Sequence, residues 1–232
     1  MLLSMNNVTS YYGKTPILKD VSFGLDEGKC LCVLGRNGVG KTTLMRTIMG
    51  LTDRSVGDIS VNGRNISGTE TYQRAKLGIG YVPQGRGILA EFTVRENILL
   101  GTFARPDGVP DIPEMCLRLF PYLRANLDRR AGLLSGGQKQ QLAIARALAV
   151  GPKVLLLDEP TEGIQPNIVH EIGDTLLTLN KEFGITLLLT EQHIKVARRL
   201  GDAFLMVDNG RVVATGAIDD LDAALIQKHL AI

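Results

Sequence analysis

Cys30-Leu31-Cys32-Val33-Leu34-Gly35-Arg36-Asn37-Gly38-Val39-Gly40-Lys41-Thr42-Thr43 is an apolar run of β-formers followed by a glycine-rich turn. Leu44-Met45-Arg46-Thr47-Ile48-Met49 follows with apolar residues at helical spacing. Together they predict strand, loop and helix. The spacing G-x-x-x-x-G-K-T is that of a phosphate-binding loop. Its glycines let successive backbone N–H groups curl around an anion where a Cβ would block the approach. Lys41 adds a full positive charge, and the opening helix adds roughly half a unit charge with its unpaired amides. Thr42 supplies a hydroxyl suited to a magnesium ion. The nucleotide-contacting set is therefore expected to be Gly35, Arg36, Asn37, Gly38, Val39, Gly40, Lys41, Thr42 and Thr43.

Residues 2 to 12 and 17 to 25 alternate in the β manner around the turn-like Gly13-Lys14-Thr15-Pro16, which predicts two antiparallel strands. Tyr11 and Tyr12 then face opposite sides. Tyr12, which abuts the turn, is the candidate to lie flat on an adenine ring, a stacking worth about 1–3 kcal/mol in nucleic-acid complexes; an ordinary strand tyrosine fits the spacing equally well. Gly57 to Gly63 reads as a strand ending in an Asn-Gly turn that rejoins this sheet. Residues 69 to 77 read as helix and Ile79 to Pro83 as a strand that stops at Gln84. Ligands bind at strand ends in open α/β sheets, so Gln84 could offer its amide oxygen to a metal and its NH₂ to a water; a surface glutamine is the plainer alternative.

Helical spacing runs from Val94 to Leu100, Met115 to Leu123 and Gln138 to Val150, with a Pro/Gly-rich link at residues 105–113. This predicts an inserted helical subdomain, about residues 89–151, in a single domain whose remaining parts are about 1–88 and 152–232. Arg118, Arg124, Arg129 and Arg130 lie there without interleaved aromatics, the pattern of a solvated or protein-facing surface rather than a nucleic-acid groove. Ser135 would cap the last of these helices, and Gly136, Gly137 and Gln138 would open it with exposed amides, a second anion site. Two phosphate-binding surfaces and one stacking tyrosine imply a nucleotide shared between two chains.

Val154-Leu155-Leu156-Leu157 is fully apolar and ends in Asp158-Glu159, the form of a central parallel strand with acids at its carboxyl end. Asp158 is expected to hold magnesium, and Glu159 to orient and deprotonate an attacking water. Ile185 to Thr190 repeats the pattern and ends in Glu191-Gln192-His193. Ala203 to Val207 and Arg211 to Thr215 read as a hairpin, and Leu221 to Leu230 as helix.

Composition agrees with a globular protein, at 44% hydrophobic and 22% charged residues. A net charge of +2 does not by itself call for nucleic acid. The amino terminus lacks the form of a secretory signal, and no apolar run reaches the roughly eighteen residues of a membrane span, so a soluble cytoplasmic protein is expected. The three cysteines, Cys30, Cys32 and Cys116, lack metal-ligand spacing. Cys30 and Cys32 are expected to share one face of a strand.

The phosphate loop, Gln84, Leu134-Ser135-Gly136-Gly137-Gln138 and the Val154 to Glu159 strand stand in the order found in ABC-family ATPases, and the chain resembles that family over nearly its whole length. The resemblance implies a mostly parallel sheet flanked by helices, with an antiparallel β subdomain and a helical subdomain. It implies ATP and Mg²⁺ as cofactors, and a head-to-tail dimer in which the phosphate loop of one subunit and Ser135 to Gln138 of the other enclose ATP. The implied partners are transmembrane permease subunits, a second ATPase subunit and, indirectly, a periplasmic solute-binding protein, with the chain on the cytoplasmic face of the inner membrane. Two positions depart from the family pattern. Gln165 replaces an aspartate; glutamine is the poorer helix cap, so any inter-subunit contact made there is expected to differ. Gln192 aligns with the histidine that senses the γ-phosphate, with His193 one residue late on the other face of an extended strand. Gln192 is therefore expected to contact the γ-phosphate through its NH₂. Glu162 to Pro166, Thr190 to Gln192 and Tyr81 to Arg86 resemble the ATPases of branched-chain amino acid and urea/amide importers, and most of all the urea importers. A soluble ABC ATPase acting on ribosomes or DNA is the alternative of another class.

Overall fold

The computed structural model describes residues 1–105 and 107–230. Its strands and helices are numbered in chain order. β1 (Leu3–Tyr12) and β2 (Thr15–Leu25) form a hairpin, and β4 (Arg54–Val61) and β5 (Arg64–Asn65) complete an antiparallel sheet of order β2-β1-β4-β5. The first turn is tighter than expected. Thr15 and Pro16 are already in β2, paired with Tyr12 and Tyr11, and only Gly13-Lys14 remains outside the strands. Pro16 is tolerated because β2 is an edge strand. The Asn62-Gly63 turn has φ values of 51° and 73°, the doubly positive pair that a two-residue hairpin demands.

The second sheet contains β3 (Cys30–Leu34), β6 (Ile79–Val82), β7 (Val154–Asp158), β8 (Thr186–Glu191), β9 (Ala203–Asp208) and β10 (Arg211–Ala217), in the order β10-β9-β3-β8-β7-β6. All neighbours in it are parallel except the β9–β10 hairpin. Burial on both faces explains why β3 and β7 are apolar throughout. One face, with Leu31, Val33, Leu156 and Leu188, packs with α1 (Lys41–Ile48) and the antiparallel sheet. The other, with Cys30, Cys32, Leu155, Leu157 and Leu189, packs with the remaining helices, so Cys30 and Cys32 do share a face.

Those helices are α2 (Thr71–Lys76), α3 (Val94–Thr102), α4 (Glu114–Leu119), α5 (Pro121–Ala125), α6 (Gly136–Leu148), α7 (Pro166–Lys181), α8 (Ile194–Leu200) and α9 (Ala223–His229). Of these, α2 instead borders the β6 edge. The single helix expected from Met115 to Leu123 is two. Phe120 takes φ −127° and ψ 74° ahead of Pro121, because proline disfavours the α region for the residue before it. The last helix starts later than expected, at Ala223, where Asp222 accepts the Leu225 amide. Pro106, in the link expected at 105–113, lies outside the described residues.

Candidate functional site

The site lies where β3 and β7 end. Gly35 follows β3 in a position where a Cβ would stand 2.5 Å from the Val207 carbonyl oxygen, so no other residue fits. Gly38 and Gly40 have φ of 80° and 115°, the left-handed backbone that curls the loop before α1 begins at Lys41. Arg36 and Asn37 are exposed, Val39 is half-buried with its carbonyl accepting from the Gly210 amide, and Thr43 is buried. Lys41 folds back over the loop, donating to the carbonyls of Gly35 at 2.8 Å and Arg36 at 2.9 Å.

A cavity of about 190 Å³ opens on this loop, lined among others by Asn37, Lys41, Thr42, Thr43, Gln84 and Glu159. The five residues expected to hold metal or do chemistry, Thr42, Gln84, Asp158, Glu159 and Gln192, are brought to one place. Thr42 Oγ1 donates to Asp158 Oδ1 at 3.2 Å. Glu159 Oε1 is 2.9 Å from Lys41 Nζ, and Glu159 Oε2 accepts from Gln192 Nε2 at 3.0 Å. Asp158 Oδ2 is buried with no hydrogen-bond partner. A buried carboxylate oxygen without a donor is costly unless a cation completes it, so the donor set of Asp158, Thr42 and Gln84 fits a hard, oxygen-liganded ion. Burial raises the Asp158 carboxyl above its ordinary pKa, against the hydrogen bonds from Thr190 and Thr42.

Gln84 is exposed just past β6, and its Nε2 donates to Glu162 Oε2 at 2.8 Å. That leaves its Oε1 as the acceptor available to a ligand. Tyr12 is half-buried, with the Arg46 guanidinium of α1 at 5.7 Å from its ring centre, whereas Tyr11 carries Arg54 at 4.2 Å. Tyr12 therefore neighbours the helix that leaves the phosphate loop.

Ser135, Gly136, Gly137 and Gln138 lie apart from this cavity, on a turn of their own. Ser135 accepts the Gln138 amide at 3.3 Å and Gln138 Oε1 accepts the Ser135 amide at 2.9 Å, a reciprocal cap. The first intrahelical bond is donated by Lys139 to Ser135, so the Gly136 and Gly137 amides precede it. Ser135 and Gly136 are exposed, but Gly137 is buried, contrary to the expectation that both glycines present open amides. Its Cβ would lie 2.6 Å from Ile168 Cγ2 on α7, so close packing of two helices accounts for this glycine. Gln165 caps α7 without a side-chain hydrogen bond, the weaker capping expected of glutamine.

Three contributors escaped the reading of the sequence. Glu162 holds Gln84, Thr161 Oγ1 donates to Glu191 Oε1 at 2.6 Å, and the Thr190 hydroxyl bonds the Asp158 carboxylate and the Glu159 backbone amide. Each meets a partner thirty or more residues away along the chain, so none carries a local signal.

The ABC transporter family model matches residues 18–162. The chain belongs to the ABC transporter ATPases. It is 38% identical over 226 residues to BraG, the high-affinity branched-chain amino acid transport ATP-binding protein of Pseudomonas aeruginosa, covering 97% of this chain and 95% of that one. It is 37% identical to a probable branched-chain amino acid transport ATP-binding protein, LivF, of Archaeoglobus fulgidus, over 90% of this chain and 89% of that one. Among solved structures, a dimeric ATP-binding cassette in a post-hydrolysis state bound to ADP and Pi superposes with a TM-score of 0.81 at 26% identity, covering 94% of this chain and 99% of that one. This ABC ATPase is thus an ATP-binding and ATP-hydrolysing transporter subunit. Among the described residues no helix is long and apolar enough to cross a membrane.

Proposed function

We propose that this ABC ATPase energises an importer of branched-chain amino acids, hydrolysing ATP between two ATPase subunits. The observation that carries the chemistry is the convergence of Lys41, Thr42 and Glu159 on one loop-lined cavity, with Asp158 bonded to Thr42. The amides of Gly38 to Lys41 and the Lys41 ammonium bind the β- and γ-phosphates. Thr42, Gln84 and the unpartnered Asp158 Oδ2 would hold Mg²⁺. Bound there, the ion supplies neutralisation of the phosphate oxygens. Glu159 takes a proton from the water that attacks the γ-phosphorus, the bond to the bridging oxygen breaks, and ADP and phosphate leave. Tyr12 stacks on adenine, and Ser135 to Gln138 of a neighbouring subunit close over the γ-phosphate. Exposure of Ser135 and Gly136 and the dimeric form of a structural relative support that sharing.

An open apolar groove of about 410 Å³ between α3, α6 and the β6 edge, with Leu89 and Leu100 on its wall, suits an apolar segment of a permease subunit. We place the chain there as a peripheral subunit on the cytoplasmic face of the membrane, with a solute-binding protein acting through the permease. The names of the relatives favour the amino acid over urea. Urea, the solute expected from residues 81–86, 162–166 and 190–192, is the second reading, since the same residues resemble both importer groups. Uptake of labelled leucine and labelled urea by cells lacking the gene separates them: loss of leucine uptake alone supports the proposal, and loss of urea uptake alone overturns its solute. For the chemistry, Glu159→Gln should keep ATP binding and lose about 10²–10⁴ in rate; a fully active variant would remove Glu159 from its role.

A further inference from the structure

We propose that Thr190 is a positioning residue that sets both acids of the site through a single hydroxyl. The inference rests on the metal and base roles given above to Asp158 and Glu159. Thr190 and Asp158 are register partners on the parallel strands β8 and β7. The Thr190 hydroxyl, wholly buried, donates to Asp158 Oδ1 at 2.8 Å and accepts from the Glu159 backbone amide at 2.8 Å. A hydroxyl has one proton to give and lone pairs to receive, so the two bonds fit it without conflict.

Each bond settles something the chemistry needs. Thr190 and Thr42 both donate to the same oxygen, Oδ1, so the carboxylate is held by one side and Oδ2 is left as the oxygen that a cation would meet. Glu159 has φ 48°, a left-handed backbone that costs energy in any residue with a Cβ and persists only where its surroundings fix it. The amide bond to Thr190 is such a constraint. From that backbone the Glu159 side chain reaches Lys41 and Gln192. Packing alone does not account for a threonine here. Leu187, Leu188 and Leu189 precede it in a strand buried on both faces, where valine would fill the same space without a polar atom to satisfy.

Thr190→Val, Thr190→Ser and Thr190→Cys test this, with steady-state ATP hydrolysis and equilibrium binding of a fluorescent ADP analogue with and without Mg²⁺. In Thr190→Val, kcat should fall about 10- to 100-fold, the scale of a lost hydrogen bond to a charged group. The gain in ADP affinity on adding Mg²⁺ should shrink about tenfold by the same reasoning, while affinity without Mg²⁺ stays within about twofold. Serine should restore both readouts, and cysteine, a weak donor, should fall between them. Valine with wild-type kcat and a wild-type Mg²⁺ gain overturns the proposal, as does serine impaired as much as valine, which would assign the effect to the methyl group. Should the valine variant not fold, cysteine decides: wild-type behaviour in it overturns the proposal. A wild-type protein whose ADP affinity ignores Mg²⁺ overturns the metal reading beneath it, and is told apart because no variant is needed to see it.

Discussion

Lys41 Nζ stands 2.9 Å from Glu159 Oε1, and the two side chains are only 3% and 6% exposed. The same ammonium donates to the carbonyls of Gly35 and Arg36, so with Glu159 all three of its protons are engaged. A phosphate entering the loop must take Lys41 from Glu159, and in doing so releases the base from its counter-ion. Removing one member of a buried pair strands the other, at about 3–5 kcal/mol. Lys41→Ala should therefore lower the melting temperature of the nucleotide-free protein, by about 2–4 °C per kcal/mol in a chain of this size. Adding Glu159→Gln should return most of that loss. ATP affinity in Lys41→Ala should fall about 10- to 100-fold. Thermal melts and equilibrium binding read the two effects, and a double variant less stable than the single one would contradict the pairing.

Gln192, expected to meet the γ-phosphate, donates from its Nε2 to Glu159 Oε2. Orientation of the base predicts a different kinetic pattern from phosphate binding. Gln192→Ala should lower kcat about tenfold, one hydrogen bond to a charged group, and change ATP affinity by less than about twofold. His193 is exposed, and its backbone amide donates to Glu191 Oε2 at 3.3 Å. His193→Ala should leave both constants near wild type. A Gln192→Ala protein with weakened ATP binding and unchanged kcat would return the residue to the phosphate.

What the sequence disclosed, and what it withheld, follows from the range of each interaction. The strand β7 and its terminal Asp158-Glu159 were legible because a fully apolar run needs only its own residues to declare itself. So was the loop at Gly35 to Lys41, whose function is built from consecutive backbone groups. The break at Phe120 was written one residue away, in Pro121, and was missed because periodicity was weighed over backbone chemistry. Thr190 and Glu162 were silent for another reason. Their partners, Asp158 and Gln84, are reached only once β8 lies beside β7 and the loop after β7 folds over the end of β6, and no local pattern encodes that pairing. Gly137 looked like part of an anion site, and its closeness to Ile168 depends on how α6 meets α7.

Those two glycines can be told apart. A Cβ on Gly136 would have nothing nearer than Arg86 Nη2 at 3.9 Å, whereas one on Gly137 would collide with Ile168. Gly137→Ala should destabilise the isolated chain by about 1–3 kcal/mol, the usual cost of overpacking. Ile168→Ala should relieve that clash in a double variant. Gly136→Ala should melt like wild type and lose ATP-driven dimerisation, measured by light scattering on a Glu159→Gln background. A Gly136→Ala protein that dimerises normally with ATP would remove this turn from the shared site.

Asp158 predicts a conflict between stability and chemistry. Burial raises its pKa in the folded chain, with the hydrogen bonds from Thr190 and Thr42 opposing the rise. A raised folded pKa contributes stability in full below the unfolded value, about 3.9, and that contribution is lost as pH rises through the folded value. Toward neutral pH the buried and unpartnered Oδ2 thus burdens the free protein. Asp158→Asn should raise the melting temperature of the nucleotide-free chain at about pH 7, and the difference from wild type should narrow toward about pH 4. The same variant should lose hydrolysis. It should also lose most of the stabilisation that Mg²⁺ and ATP give the wild type, about 2.7 kcal/mol at a hundredfold excess over Kd. A nucleotide-free Asp158→Asn protein that melts below wild type near neutral pH would show that this carboxylate is held for the fold rather than for a cation.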